Sequence, residues 1–575
     1  MAGKYMDGFY GKKKRIGDLL VAAGVISEDQ LIEALEYQKG TQKRLGNTLI
    51  ELQFTTEPEI AKALTTQLGL DFVILKSIRI PQEVISRVRD SAILKKYTCM
   101  PFAISEFDKM ILKVAMVDPL DIYAIDDLSA VTGMQIEPAV AIAEDIRATI
   151  DRYYGSAEAF AAAEQYTKER SLENPKEQTN ESREDVENAP IVTLVRTLIE
   201  QAVRQRASDI HIEALEAQIR VRYRIDGVLH EIGSYPLGML MAIVARIKII
   251  GGMDISEKRK PQDGRITQMI DGLEYDIRVS VLPTVYGEKV VMRLNSKLSL
   301  TRAKEHLGLF PEDMVKFDHI MRNPNGIVLV TGPTGSGKST TLYTALSELN
   351  SPEVNIITVE DPVEANIDGI NQVQVNVRSE MTFANALRSI LRQDPDIIMI
   401  GEIRDEETAR IAVTASITGH LVVSTLHTNS AAASITRLTD MGIEPYLIAD
   451  ATVGVIAQRL VRRLCDCRRE RTAKPEEMAL LGCKPGTPPI KIYEAGRCTL
   501  CNDTGYSGRI GVYEIMPITG RVRQAVSKKT TTEEIQKIAL EEGMSTLRMS
   551  AARLVREGIT TIAEMKRITY SEEDV

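Results

Sequence analysis

The sequence predicts a multidomain α/β protein. Its 575 residues exceed what one hydrophobic core holds, and a chain of this length suggests about three to four domains. From Leu307 onward, apolar strand-like runs alternate with helix-compatible runs, the pattern of a mostly parallel sheet covered by helices. Between 155 and 189 the aliphatic residues other than alanine almost vanish in favour of Glu, Asn, Gln, Lys and Ser. Such a stretch buries too little apolar surface to offset its ordering entropy, so it reads as a flexible polar linker. The chain therefore divides into an N-terminal α/β domain (1–154), the linker, a smaller α+β second domain (190–302) and a C-terminal α/β domain (303–575).

Hydrophobic residues make up 44% and charged residues 26%, the balance of a water-soluble globular chain. No apolar run approaches the roughly 18 residues a membrane span needs. The basic cluster at Lys12 to Arg15 lacks a following apolar core and is not a secretory signal. Six cysteines, two of the pairs tightly spaced, suit a reducing compartment with a metal site better than a disulfide framework. A net charge of −9 argues against nucleic acid as the main partner. The expected location is cytoplasmic.

The first 70 residues contain a duplication. Arg15, Gly17, Leu20, Ala34, Leu35 and Gln38 recur as Arg44, Gly46, Leu49, Ala63, Leu64 and Gln67, each pair 29 residues apart. Ser27 with Gln30, and Thr56 with Glu59, form a capping box in each copy, so each copy predicts a helix start at the same place. In the second domain, Ile219, Val221, Tyr223 and Ile225 alternate with Arg220, Arg222 and Arg224, and Asp226-Gly227 supplies a hairpin turn. The arginine face is either solvated or set against something anionic.

The chemistry concentrates in the C-terminal domain. Gly332, Pro333, Thr334, Gly335, Ser336, Gly337, Lys338, Ser339 and Thr340 form a complete phosphate loop between an apolar strand, Ile327 to Val330, and a helix-compatible run. The glycines let backbone N–H groups close around phosphates, Lys338 reaches the β and γ oxygens, and Ser339 offers its hydroxyl to Mg²⁺. Two further strands end in acids: Asn355 to Val359 runs into Glu360, and Asp396 to Ile400 into Gly401-Glu402. Phosphate-loop hydrolases need one carboxylate near Mg²⁺ and one to orient the attacking water. By analogy with RecA-like sheets Glu360 activates water and Glu402 serves the metal; no Asp follows Ile400 directly, so the two roles are exchangeable. His420 and His427 bracket the next strand and are sensor candidates, for the γ-phosphate or for a neighbouring subunit.

These boxes, in order, resemble the phosphate loop, aspartate box, Walker B and histidine box of the type II secretion and type IV pilus assembly ATPases. Ser208 to Glu213, Pro261 to Arg265 and Arg278 to Pro283 are similar to that family's second domain. The resemblance covers about 190–575 and implies a RecA-like ATP-hydrolysing core and a homohexamer. It also implies that second-domain arginines such as Arg265 and Arg278 reach the γ-phosphate. The partners it implies are an inner-membrane platform protein and a cytoplasmic assembly protein, with peripheral membrane attachment through them.

The duplicated segment resembles the cyclic di-GMP-binding domain of some of these ATPases. A two-fold symmetric dinucleotide suits a doubled site built from Arg15, Gly17, Leu20 and Gln38 with Arg44, Gly46, Leu49 and Gln67. Gln53 stands where the first copy has Gly24, and a ligand-free docking domain is the alternative. Near the C-terminus, within about 460–510, Cys465, Cys467, Cys498 and Cys501 fall where the family carries two Cys-x-x-Cys pairs for zinc. The first pair is one residue short, and Cys483 is a substitute ligand. Cys99 is expected in a core. The favoured reading is a pilus extension motor; type II secretion is the alternative, and a RecA-like nucleic-acid translocase a remote one.

Overall fold

The computed structural model describes residues 16–41, 45–52, 54–88, 90–155, 189–296 and 303–569. The predicted linker lies outside the described residues except at its two ends, as do Arg15, Arg44 and Gln53.

The duplication folds as four helices, Ile16–Ala22, Glu28–Thr41, Leu45–Glu51 and Glu57–Leu68. The copies exchange partners: the first helix packs on the fourth and the second on the third. Gly17 faces Leu31, and its counterpart Gly46 faces the equivalent Ile60; a Cβ at either would crowd that side chain, at 2.6 and 3.1 Å. Both capping boxes form. Ser27 and Gln30 bond reciprocally, and Glu59 accepts from the Thr56 amide and hydroxyl.

A small sheet follows, with β1 (Cys99–Ile104), β2 (Ile111–Met116) and β3 (Gln135–Val140) in that order. The helix Ile122–Thr132 makes the crossover that lets β2 and β3 run parallel. Cys99 is fully buried in this core, and burial pushes its thiol up to about 12. The unit ends on the helix Ala143–Ile150 and the wide turn Asp151–Gly155.

The second domain backs two helices, Ala189–Arg204 and Leu240–Ile250, on an antiparallel sheet. Its strands are β4 (Ala207–Ala214), β5 (Gln218–Ile225), β6 (Val228–Pro236), β7 (Gln262–Ile270), β8 (Leu273–Thr284) and β9 (Gly287–Ser296). They lie in the order β6-β5-β4-β9-β8-β7. Ile219, Val221 and Tyr223 face the helices, and Asp226-Gly227 turns with φ of 49° and 84°, both positive as a type I′ hairpin demands. The arginine face carries its own counterions. Glu213 accepts from Arg220 at 3.1 Å and Arg222 at 2.7 Å, and Asp209 lies 3.6 Å from Arg224.

The C-terminal domain holds β10 (Gly326–Thr331), β11 (Ile356–Glu360), β12 (Asn371–Gln374), β13 (Ile397–Ile400), β14 (Leu421–Leu426) and β15 (Thr452–Leu464). The short ribbon β16 (Arg469–Thr472) and β17 (Lys491–Glu494) leads to β18 (Tyr506–Pro517). The main sheet runs β12-β11-β13-β14-β10-β15-β18, parallel except for the last strand. Hydrophobic clusters cover both faces: Leu329, Val359 and Ile398 point one way, Val328, Val330 and Met399 the other. That two-sided burial explains the near-continuous apolar runs of these strands.

Candidate functional site

The parallel strands place the ends of β10, β11, β13 and β14 along one edge of the sheet, and the phosphate loop opens there. Gly332, Gly335 and Gly337 have φ of 148°, 79° and 89°, a region L side chains rarely adopt. A Cβ on Gly332 would stand 2.4 Å from the backbone carbonyl oxygen of Gln458, and one on Gly337 2.9 Å from the side-chain Nε2 of the same residue. The loop thus lies close against β15, at the N-terminus of the helix Lys338–Leu349. The Ser336 hydroxyl is buried without a hydrogen-bond partner, as suits a donor built for a phosphate oxygen.

Lys338 folds back onto its own loop, donating to the Gly332 carbonyl at 2.7 Å and that of Pro333 at 3.2 Å. Burial pulls its pKa down to about 8, opposed by the charge of Glu402 and reinforced by Arg459. An anion would bring this ammonium back to full charge. Ser339 and Thr340 follow on the first turn of the same helix.

The two strand-end carboxylates sit in different surroundings. Glu360 is buried at the end of β11, accepting from Tyr343, from Thr358 at 2.7 Å and from Gln372 at 3.1 Å. Glu402, just past β13, pairs with Arg404 at 2.6 Å and lies 3.5 Å from the His427 ring. Burial and the nearby Lys338 charge hold the His427 pKa below its usual value. His427 is therefore at the loop, but His420 is not. It lies at the opposite end of β14, about 20 Å away for a strand of this length, bonded at 2.9 Å to the Ala415 carbonyl. Its use as a γ-phosphate sensor in the same chain is excluded by that geometry.

Arg278 reaches across from the second domain to the Val363 carbonyl, 3.4 Å away, in the loop after β11. Arg265 instead pairs with Asp276 on its own sheet. Motif reading missed Arg459. It is buried on β15 and donates to Asn429 at 3.0 Å, and its guanidinium would lie 3.2 Å from a Cβ on Gly332. Only the register of β10 against β15, which pairs Thr331 with Ala457, brings it there.

In the duplicated segment the structure corrects one expectation. Leu20 and Leu49 are buried in the small helical core, closed off by the exchanged helices, and cannot offer a dinucleotide apolar contact. Gly17 is buried with them; Gln38, Gly46 and Gln67 are half-buried.

Cys465, Cys467, Cys498 and Cys501 converge, with Sγ atoms 3.7, 3.8 and 3.7 Å apart for the pairs 465–498, 467–501 and 498–501. Zn–S bonds of about 2.3 Å in a tetrahedron require S···S edges of about 3.8 Å. The short Cys-x-Cys pair still fits zinc, and Cys483, packed on the main core, is outside the cluster.

A closed glycine loop, a lysine awaiting an anion and two carboxylates on adjacent strand ends define a phosphate-loop nucleotide hydrolase. Comparison narrows the class. The profile of the family described as "Type II/IV secretion system protein" matches residues 184–567, and that of the MshEN domain matches 68–160. The second match begins after the duplicated helices rather than covering them. The chain is 44% identical, over 96% of its length and 98% of the relative's, to a Myxococcus xanthus protein named "Type IV pilus assembly ATPase PilB". It is 43% identical, over 87% of its length and 89% of the relative's, to a "Type II secretion system protein E" of Xanthomonas campestris. The ATPase DotB of Legionella pneumophila shares the fold, with a TM-score of 0.50 over 68% of this chain and 98% of that one, at 22% identity.

The chain belongs to the type II/IV secretion system protein family. It is an ATP-hydrolysing motor enzyme of the secretion and pilus-assembly class, and its nucleotide is ATP with Mg²⁺. Among the described residues no helix is long and apolar enough to cross a membrane. Elemental analysis of the purified chain is expected to find about one zinc per molecule, lost in Cys498→Ser; a zinc-free wild type of intact fold would remove the metal from the cluster.

Proposed function

We propose that this enzyme powers extension of a type IV pilus. The observation that supports this reading best is the near end-to-end alignment with the pilus assembly ATPase, which includes the N-terminal units as well as the motor. The motor for type II secretion is the second reading, favoured by the 43% identity to the secretion protein. By resemblance to the family, the working form is a homohexamer docked on an inner-membrane platform protein and a cytoplasmic assembly protein.

In the proposed cycle the loop amides from Gly332 to Thr340 and Lys338 grip the triphosphate, and Ser339 and Glu402 face the magnesium side. Glu402 suits that side because its charge acts directly on Lys338. Glu360, held in place by Tyr343, Thr358 and Gln372, orients the attacking water. Arg278 and Arg265 supply positive charge to the γ-phosphate, His427 reports its state, and His420 faces a neighbouring subunit. The duplicated helices bind cyclic di-GMP through Arg15, Arg44, Gln38 and Gln67 and adjust the motor's output.

Three measurements test these assignments. Glu360→Gln and Glu402→Gln are each expected to lower turnover by about 10²-fold or more. Only Glu402→Gln should also raise the Mg²⁺ concentration needed for half-maximal rate, and the reverse pattern would exchange the two roles. Binding of cyclic di-GMP should weaken by at least about tenfold in the Arg15→Ala/Arg44→Ala protein; unchanged binding would remove the ligand from this segment. In cells carrying Lys338→Ala, bald surfaces with normal protein secretion are expected. Piliated cells with trapped exoproteins would assign the motor to type II secretion.

A further inference from the structure

The last turn of the MshEN-matched unit touches both domains of the motor through two adjacent residues. Asp151 pairs with Arg204 at the end of the second domain's first helix, and both side chains are largely buried. Arg204 also binds Asp271 at 2.9 Å, and Arg147 on the same N-terminal helix lies 3.6 Å from that carboxylate. Arg152, the next residue, points the other way, into the cysteine module. It donates to the Thr499 carbonyl and, at 2.8 Å, to the Asn502 side chain. Thr499 returns a bond, its hydroxyl donating at 2.6 Å to the Lys76 carbonyl. Thr499 stands between Cys498 and Cys501, so the partner surface is the knuckle of the four-cysteine site. The wide turn Asp151–Gly155 directs consecutive side chains to different neighbours.

We propose that this contact is a brake, in which the 68–155 unit cross-braces the second domain to the ATPase domain. Among the described residues the polar contacts between the two motor domains include Asp226 with the Gly508 amide at 3.0 Å and Arg509 at 3.8 Å, and Arg278 with Val363. Arg278 meets the ATPase domain at Val363, in the loop that follows Glu360 at the end of β11, so movement of the second domain relative to the sheet moves an arginine next to that strand end. A brace between the same two bodies opposes that movement.

The interface is also built to release. A cleft of about 430 Å³ runs through it, and two of its lining residues, Arg152 and Gln201, each carry a buried nitrogen with no hydrogen-bond partner. Unpaired buried donors cost free energy that undocking recovers through water, and polar interfaces of this kind between domains are readily reversible. The polar segment that follows the turn keeps the released unit tethered.

The braking role rests on the proposed motor function; the contact itself does not. The test uses the full-length chain and two readouts, amide hydrogen exchange and steady-state ATP turnover. Arg152→Ala removes the finger, and Asn502→Gly removes its side-chain acceptor on the motor side, leaving the Thr499 carbonyl, at a position whose φ of 49° suits glycine. Both are expected to speed exchange about tenfold or more across 143–155 and 498–508, and to raise kcat about threefold with KM for ATP unchanged. Unchanged exchange in both variants would overturn the brace. Faster exchange with unchanged or lower turnover would overturn the brake. Because exchange does not depend on hydrolysis, a failed motor and a failed brace give different results.

Discussion

The close seating of the phosphate loop against β15 is the constraint on which the rest depends. Gly332 lies within contact distance of the Gln458 backbone, where any Cβ would clash with its carbonyl oxygen, and Gly337 lies against the Gln458 side chain with a positive φ that favours glycine. The strand order then determines what surrounds the anion. With β10 between β14 and β15, the loop has His427 and Thr428 on one flank and Gln458 and Arg459 on the other. Thr331 ties the first flank down, bonding through its hydroxyl to the Thr428 amide at 2.9 Å and to the Thr428 hydroxyl at 2.6 Å.

Positive charge and hydrogen-bond donors collect at the phosphate loop. Lys338 is partly desolvated and donates to carbonyls, Ser336 is unpaired, and Arg459 adds a second positive charge nearby. The carboxylates that balance this field are anchored by different means, Glu360 by neutral donors and Glu402 by Arg404 and the His427 ring. On the second-domain sheet the ion pairs lie between neighbouring strands. The arginine ladder of β5 shares Glu213 and Asp209 on β4 with Lys289 and Arg293 of β9, so that cluster keeps an excess of positive charge. Arg278 also has a contact in another domain.

Local chemistry was readable from the chain alone: the phosphate loop between strand and helix, the acids at the ends of two apolar strands, the Asp226-Gly227 hairpin, both capping boxes and the burial of Cys99. Each of these depends on residues within a few positions of one another, where φ preference, capping and two-sided burial act directly. The doubled helix pattern was equally legible as a repeat, because equal spacing of Gly, Leu and Gln predicts equal local geometry. Its packing was not. Leu20 and Leu49 look like free apolar contacts until the helices exchange partners and enclose them.

The sequence by itself therefore determined the class of chemistry, the phosphate-binding loop and the candidate carboxylates, since motif spacing along one strand-turn-helix is a local property. Tertiary structure decided what those residues face. It moved His420 to the far edge of the sheet, because a strand carries its two ends about 20 Å apart. It brought Arg459 to the loop through strand register, and it gathered Cys465 and Cys467 with Cys498 and Cys501 into one cluster, their Sγ atoms within 4.8 Å of one another, despite the missing residue. It also set Asp151 and Arg152 against two different domains. Contacts between residues hundreds of positions apart follow from how sheets and helices pack, and no spacing along the chain records them.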